Sequence, residues 1–288
     1  MSMQKDSIPF MFETLIGTAE LNAAVGKPDW IIVDCRFDLF DKDAGHRDYQ
    51  KGHIPTAVYA DLERDLSDMG GAGAGRHPLP TPNDMQRLFC RLGISSASQV
   101  VVYDAASGAI AARLWWMLRF MGHRSAAVLD GGWQRWLGEG YGIQTGENTS
   151  APGRFQGKPV PDWLIDCSQI PQVKCLIDSR EPARYKGENE PIDPVAGHIP
   201  GAVNYFWKNN LDEHGCFLPA SVIREKLLEK YGETSPEDVV FYCGSGVTAC
   251  HNLLAATHAG LVTPGLYAGS WSEWCADPAR PVATGEED

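Results

Sequence analysis

The chain has 288 residues, of which 43% are hydrophobic and 22% are charged, as is typical of a folded globular protein. Its formal net charge of -12 at pH 7 argues against nucleic acid or an anionic membrane surface as the main partner. A small anionic substrate would therefore need a local positive site in an otherwise acidic protein.

The N-terminal sequence MSMQKDSIPFMFETLIG has no basic segment followed by an apolar one, so it predicts no secretory signal. The most apolar stretch, residues 105–121, contains Arg113 and Arg119 and is too short to span a bilayer. The eight cysteines form no CxxC pair, and no histidine stands at a metal-ligand spacing from them. We therefore expect a cytoplasmic protein with reduced thiols, no metal and no membrane association.

Two copies of one sequence unit make up most of the chain. Each has an apolar segment that ends in Asp-x-Arg, at Asp34 and at Asp178, followed by Gly-His-Ile-Pro at 52–55 and 197–200. A further match joins VVVYDAASG (100–108) to VVFYCGSG (239–246), and the matched positions lie about 140 residues apart. Self-similarity at a fixed spacing indicates duplication, so we predict one domain over 10–142 and a second over 164–284. The Gly- and Pro-rich segment 143–163 is expected to be the linker.

Within each copy, short aliphatic strands alternate with helices. In the first copy we predict strands over 30–35 and 100–103 and helices over 84–92 and 110–121. This alternation predicts an α/β protein with two tandem domains, each a mostly parallel sheet flanked by helices. Ligands of such sheets bind beyond the carboxyl ends of the strands, which is where the segment after Tyr242 lies.

The cysteine loop, residues 243–248, joins the apolar segment 239–242 to a run of helix formers. Cys243 ends the strand, and Gly244, Ser245 and Gly246 allow the backbone to turn so that successive N–H groups converge on one centre. Such a nest at a helix N-terminus favours a thiolate, a persulfide or a substrate oxyanion. The alternative is an inert cysteine that packs at a tight turn. The first copy has Asp104 at this position, so the turn does not require sulfur, which favours a catalytic Cys243.

Two other kinds of cysteine enzyme fit the loop less well. A cysteine phosphatase needs an arginine that closes the loop on the phosphate, and residues 243–249 contain neither Arg nor Lys. The local signature of a cysteine protease is also absent. A non-catalytic interaction module built on the duplicated fold stays open.

Together, the paired Asp-x-Arg and Gly-His-Ile-Pro motifs, the cysteine loop and the repeated Gly-x-Trp near 131 and 269 resemble the two-domain rhodanese-like sulfurtransferases. The resemblance extends from about residue 13 to residue 281. The loop is similar to that of family members that act on 3-mercaptopyruvate. Members that act on thiosulfate typically carry basic residues directly after the cysteine, where this chain has Gly244 and Ser245.

The resemblance implies a ping-pong sulfur transfer. Cys243 would take sulfur from a small anionic donor, 3-mercaptopyruvate, release pyruvate and hold the sulfur as a persulfide. A thiol acceptor, such as thioredoxin or a small thiol, or cyanide would then remove it, with no cofactor. Thiosulfate is the alternative donor, and a monomer is expected.

The resemblance also implies roles for particular residues. Arg184 corresponds to an arginine that binds the donor carboxylate, whereas Ile192 stands where the family has a second one. Ser245, His77 and Asp61 match a proposed Ser–His–Asp relay, with the last two supplied by the first domain. The rest of the loop is expected to line the substrate site: Gly244, Gly246, Val247 and Thr248, the last also capping the helix. Arg180, His53, His198 and Cys250 are expected to be structural.

Overall fold

A computed structural model describes residues 11–70 and 75–286. The first half of the chain contains β1 (Leu15–Ile16), α1 (Thr18–Asn22), β2 (Trp30–Asp34), α2 (Ala44–Lys51), β3 (Val58–Tyr59), α3 (Pro82–Arg91), β4 (Gln99–Tyr103), α4 (Ala111–Phe120), β5 (Ala126–Leu129) and α5 (Gly132–Gly138). The second half contains β6 (Cys175–Asp178), α6 (Pro182–Tyr185), β7 (Ala202–Asn204), α7 (Ala220–Tyr231), β8 (Val239–Tyr242), α8 (Ala249–His258), β9 (Gly265–Leu266) and α9 (Ser270–Trp274). Short 3₁₀ helices lie at Cys167–Gln172, Trp207–Asn210 and Pro236–Asp238.

The strands form two parallel sheets, one in each half. The first has the order β1-β5-β4-β2-β3 and the second the order β7-β6-β8-β9, and every strand pair is parallel. The predicted α/β fold with two tandem parallel-sheet domains is confirmed. In the first sheet the central strand β4 leads into the loop that carries Asp104. In the second sheet the central strand β8 leads into the loop that carries Cys243.

The predicted elements differ from the observed ones only at their ends. The helix predicted over 84–92 is α3, which begins earlier because Thr81 caps it: the Thr81 hydroxyl accepts a hydrogen bond from the Asp84 N–H. Pro82 then occupies the first turn, where its missing N–H costs nothing. The strand predicted over 30–35 ends at Asp34, although the N–H of Cys35 still bonds to the Tyr103 carbonyl.

The two halves share one hydrophobic core. Helices α4 and α8 pack against each other, and a single buried cluster contains Trp115 and Leu118 of α4 together with Leu253 and Leu254 of α8. Each of these helices starts directly after a loop at a central strand. Because α4 and α8 pack together, the loops that precede them, after β4 and β8, both lie at the interface between the two halves. Within the described ranges, no helix is both long enough and apolar enough to cross a membrane.

Candidate active site

Cys243 lies immediately after β8 and is 2% exposed. Its N–H donates to the Ser270 hydroxyl at 3.1 Å, and its carbonyl accepts from the Trp271 N–H at 3.0 Å. The Gly244 carbonyl likewise accepts from the Ser272 N–H at 2.9 Å. The start of α9 thus fixes the backbone of Cys243 and Gly244.

Gly246 has a left-handed backbone, with φ 73°, and a Cβ there would lie 2.3 Å from the Ala268 carbonyl oxygen. Only glycine fits this position without moving the backbone. The resulting curl leaves the N–H groups of residues 244–249 without a hydrogen bond to any described residue. The N–H groups that the predicted nest requires are therefore free to donate.

The corresponding loop of the first half, the Asp104 loop (residues 104–110), shows what such donors bind. One carboxylate oxygen of Asp104 accepts from the N–H groups of Ala106 and Gly108, each at 2.8 Å. The other accepts from Ile110 and Ala111, also at 2.8 Å. The fold therefore holds an anion with four backbone N–H groups at this place. In the second half the anion is not built in, because Cys243 carries only a thiol.

His77 of the first half meets the cysteine loop. Its Nδ1 lies 2.7 Å from the Ser245 hydroxyl oxygen, and both side chains are buried. Burial, together with the positive charges of Arg76 and Arg113, lowers the pKa of His77 to about 3, so the imidazole is neutral at pH 7. The Nε2 atom faces the Glu63 carboxylate at 3.9 Å. This neighbour favours the tautomer with hydrogen on Nε2, in which Nδ1 accepts a hydrogen bond from Ser245.

Asp61 was expected to complete a relay with Ser245 and His77, but its carboxylate does not bond to His77. One oxygen of its carboxylate accepts from the N–H groups of Glu63 and Arg64, at 2.9 Å each, and the other accepts from the Tyr59 hydroxyl at 3.3 Å. Asp61 therefore caps the turn after β3, because its short side chain bonds most readily to the backbone two and three residues on. The carboxylate beside His77 belongs to Glu63, which is also paired with Lys42.

Thr248 stands at the N-cap position of α8 but does not cap the helix with its side chain. Its backbone is already helical, with φ -72° and ψ -16°, and no side-chain cap hydrogen bond forms. A capping hydroxyl needs an extended backbone to reach the N–H groups of the first turn. Thr248 instead lines the cavity above Cys243, as do Gly244, Ser245 and Val247.

That cavity has a volume of about 190 Å³ and is formed by both halves. The first half contributes Phe37, Leu39, Leu62, Arg76, His77 and Ile110. The second half also contributes Arg184, on α6, and Ile192. The structure therefore brings Cys243, Ser245, His77 and Arg184 together, as the sequence predicts, and places Asp61 outside the cavity lining.

Two guanidinium groups reach the cavity, and acidic residues hold both. Arg184 bonds to Glu190 through Nε and Nη2, and its Nη2 also lies 3.0 Å from Asp193. Asp193 in turn pairs with Nη1 of Arg76. Although burial raises it, hydrogen bonds from the backbone N–H of Asp193 and from Arg184 leave the pKa of Glu190 below its ordinary value. Glu190 is therefore charged at neutral pH, and Glu190 and Asp193 together fix the two arginines.

Sequence reasoning did not single out Arg76, which lines the cavity. Its Nη2 lies 3.0 Å from the place where a Cβ on Gly244 would stand, and its buried Nε has no hydrogen bond within the described chain. Arg76 thus supplies the cavity with a second cation beside Arg184, although Ile192 stands at the position where a second arginine was expected. The only signal in the sequence was its position next to His77.

The structure also places the residues expected to be structural. Arg180 forms a buried pair with Asp178, donates to the Gly197 carbonyl and stacks on Trp271 at 4.8 Å. Cys250 is fully buried, and burial raises its pKa to about 12. His53 bonds to the Tyr49 carbonyl and to Asn148, away from the cavity. Among residues 11–70 and 75–286, no three His, Cys, Asp or Glu side chains cluster as metal ligands would.

Comparison with known proteins agrees with this architecture. Residues 17–139 and 160–277 each match the family model described as the rhodanese-like domain. The chain belongs to the rhodanese-like family. A relative from Pseudomonas aeruginosa, named "Probable 3-mercaptopyruvate sulfurtransferase", is 47% identical over 279 residues, which cover 94% of this chain and 98% of the relative.

Other rhodanese-like relatives differ in their named substrate. Thiosulfate sulfurtransferase of Rattus norvegicus is 32% identical over 294 residues, covering 96% of this chain and 97% of the relative. The crystal structure of SseA from Escherichia coli, described as a 3-mercaptopyruvate sulfotransferase, superposes with a TM-score of 0.78 at 28% identity. That match covers 91% of this chain and all of SseA. The expected resemblance to two-domain rhodanese-like proteins is confirmed.

Proposed function

We propose that this rhodanese-like protein transfers sulfur from 3-mercaptopyruvate to a thiol or to cyanide through a persulfide on Cys243, with release of pyruvate. The observation that carries the proposal is the position of Cys243 at the base of a cavity where free backbone N–H groups and two guanidinium groups converge. The donor named for the 47% identical relative supports the same substrate.

The charge of the cavity suits a monocarboxylate. Arg76 and Arg184 contribute two positive charges, and Glu190 and Asp193 offset them with two negative ones. Nη1 of Arg184 makes no hydrogen bond within the described chain, and Nη2 of Arg76 points toward Gly244. Two such donors can bind one carboxylate. A dianion such as thiosulfate would gain less, because the cavity holds little excess positive charge.

The first half-reaction forms the persulfide. The Cys243 thiolate attacks the thiol sulfur of 3-mercaptopyruvate, an S–S bond forms, and the bond between that sulfur and C3 breaks. The electron pair of the broken bond passes to the enolate of pyruvate, which then takes up a proton. Neutral His77 holds the Ser245 hydroxyl beside the cavity, and as the enolate forms the hydroxyl hydrogen turns from His77 Nδ1 to the developing enolate oxygen. With a pKa of about 3, His77 does not itself carry a proton to the enolate at neutral pH.

The second half-reaction removes the sulfur. The thiolate of an acceptor, for which we propose thioredoxin or a small thiol, or cyanide attacks the outer sulfur, and Cys243 leaves as the thiolate. Until then the negative outer sulfur is stabilised by the N–H groups of residues 244–249, in the way that the Asp104 carboxylate is held in the first half. No cofactor takes part in either step.

We further propose that the protein acts as a monomer in the cytoplasm. A single chain supplies His77 and Arg76 from one half and Cys243 and Arg184 from the other, so a second copy is not needed to complete the site. All eight cysteines are free thiols, as suits a reducing compartment. We retain 10–142 and 164–284 as the domain bounds, with 143–163 as linker.

The test compares two reactions in the wild-type protein, Cys243→Ser and Cys250→Ser. Pyruvate release from 3-mercaptopyruvate and thiocyanate formation from thiosulfate plus cyanide are measured under the same conditions. We expect Cys243→Ser to lose both activities and Cys250→Ser to keep them, with 3-mercaptopyruvate the better donor. Activity in Cys243→Ser would remove Cys243 as the nucleophile. Faster turnover of thiosulfate would instead favour the reaction named for the rat relative.

A further inference from the structure

Arg113, in α4, is a fully buried guanidinium that bonds to backbone carbonyls of both halves and also reaches the neutral thiol of Cys250. Nη1 donates to the Gly246 carbonyl at 2.9 Å, and Nη2 donates to the His77 carbonyl at 3.0 Å. Longer bonds, of 3.4 Å, reach the Leu66 carbonyl. Arg113 therefore holds the underside of the cysteine loop and the backbone of His77 at the same time.

The positive charge of Arg113 has no carboxylate partner in the described part of the chain. Other buried arginines of this protein, Arg36 and Arg180, are each paired with an aspartate at 2.6 Å. Burial lowers the pKa of Arg113 from its ordinary value, but arginine stays protonated in proteins. Burying an unpaired cation is costly, so its retention at this place needs a compensating anion or a function.

Three titratable groups face Arg113: Cys243, Cys250 and His77. Burial raises the pKa of Cys250 to about 12, so this thiol stays neutral. His77 is also neutral at pH 7, because burial and nearby cations lower its pKa to about 3. Cys243 is the remaining group, and it alone carries negative charge in the proposed reaction.

We propose that Arg113 is a positioning residue for sulfur transfer, a cation supplied by the first half whose counter-ion is the Cys243 thiolate and, after the first half-reaction, the persulfide. Through the Gly246 carbonyl it also holds the curl that aims the free N–H groups at Cys243. The inference rests on the proposed role of Cys243 as the nucleophile.

A second contact across the same interface provides a matched comparison. His251, in α8, reaches the carbonyl of Ser107 in the Asp104 loop at 3.1 Å, as Arg113 reaches Gly246 in the cysteine loop. His251 is fully buried, and burial lowers its pKa to about 3, so its contact is neutral. The contact between His251 and Ser107 shows that the two halves can pack through a neutral side chain. The charged contact of the two, from Arg113 to Gly246, is made to the loop that carries Cys243.

The experiment measures the alkylation rate of Cys243 by iodoacetamide between pH 5 and 10, with the labelled site identified by mass spectrometry. The variants are Arg113→Lys, Arg113→Gln, Arg113→Met and the control His251→Gln, and thermal unfolding shows which are folded. Five charged groups near the cavity stay unchanged throughout: Arg76, Arg184, Glu63, Glu190 and Asp193.

For the two neutral variants we expect the midpoint of the pH–rate profile to rise by about one pH unit, which lowers the rate at a pH well below the midpoint about tenfold. Arg113→Lys and His251→Gln are expected to keep the wild-type midpoint. An unchanged midpoint in both neutral variants, or an equal shift in Arg113→Lys or His251→Gln, overturns the proposal. Failure of both neutral variants to fold, with His251→Gln folded, would assign Arg113 to the interface alone and also overturn it.

The same data separate this inference from the assignment of the nucleophile. If Cys243 of the wild-type protein is not the labelled site, or Cys243→Ser retains activity, the nucleophile is wrongly assigned. If Cys243 is labelled rapidly and the profile does not depend on residue 113, only the role of Arg113 fails.

Discussion

The Nδ1 atom of His77 lies 2.7 Å from the hydroxyl oxygen of Ser245, so one buried hydrogen bond links the first half of the chain to the cysteine loop of the second. Because this bond holds the Ser245 hydroxyl beside the cavity, the two residues should act as one unit in sulfur transfer.

The substitutions His77→Ala and Ser245→Ala should therefore be strongly non-additive. We expect each to lower kcat/KM for 3-mercaptopyruvate by about 10- to 100-fold. The double variant should have the same kcat/KM as the less active of the two single variants. Steady-state kinetics of the three variants provide the check. Losses that multiply in the double variant would mean that the hydrogen bond has no part in the reaction.

Arg76 and Arg184 are predicted to bind the donor carboxylate together. Arg76→Ala or Arg184→Ala should raise KM for 3-mercaptopyruvate about tenfold or more, with a smaller change in kcat, since a charge-assisted hydrogen bond is lost in the ground state as well. Arg87→Ala is the control, because Arg87 is exposed and paired with Asp84 away from the cavity. An unchanged KM in Arg76→Ala would remove Arg76 from the donor site.

Asp104→Asn is predicted to destabilise the protein without impairing the chemistry of Cys243. The amide would turn an oxygen that accepts two N–H bonds into a donor, so two of the four hydrogen bonds of 2.8 Å are lost. We expect the free energy of unfolding in urea to fall by roughly 3 kcal/mol or more, since hydrogen bonds to charged groups contribute about 1.5–3 kcal/mol each. Full stability of Asp104→Asn would show that the Asp104 loop does not depend on its anion.

Buried neutral histidines should make the protein acid-sensitive. The pKa of His251 is about 3 in the folded protein against an ordinary value of 6.5, so the unfolded chain takes up this proton first as the pH falls. The contribution of His251 to stability is thus complete above about pH 6.5 and declines from there toward pH 3. The free energy of unfolding is measured in urea between pH 7.5 and 4. Below about pH 6.5 it should fall less steeply with pH in His251→Gln than in the wild-type protein, by the slope that corresponds to the uptake of about one proton. Parallel curves for the two proteins would contradict the burial argument.

The sequence predicted what local patterns and internal repetition determine. Both parallel sheets followed from the alternation of elements, and the comparison of Asp104 with Cys243 separated the needs of the turn from those of the chemistry. The free N–H groups of the loop followed from Gly244 and Gly246, because a glycine-rich strand-to-helix turn curls in only a few ways.

The residues that the sequence did not predict all depend on contacts between the two halves. Arg113 reaches the cysteine loop because α4 packs against α8, and Arg76 reaches it beside α9, where its N–H donates to the Ser272 hydroxyl; no spacing in the chain encodes either contact. Asp61 was expected beside His77, but the local preference of an aspartate for the next backbone N–H groups prevails there. The side chain of Thr248 was misjudged because its backbone is already helical.

Asp104 gives the first half a ligand that cannot leave. A carboxylate attached to the chain fills its loop at every stage of catalysis, whereas the loop at Cys243 alternates between vacant and filled as sulfur arrives and departs. Small anions in solution can therefore compete for only one of the two loops. The Asp104 loop is permanently saturated, so the first half can form a wall of fixed shape for the cavity beside Cys243.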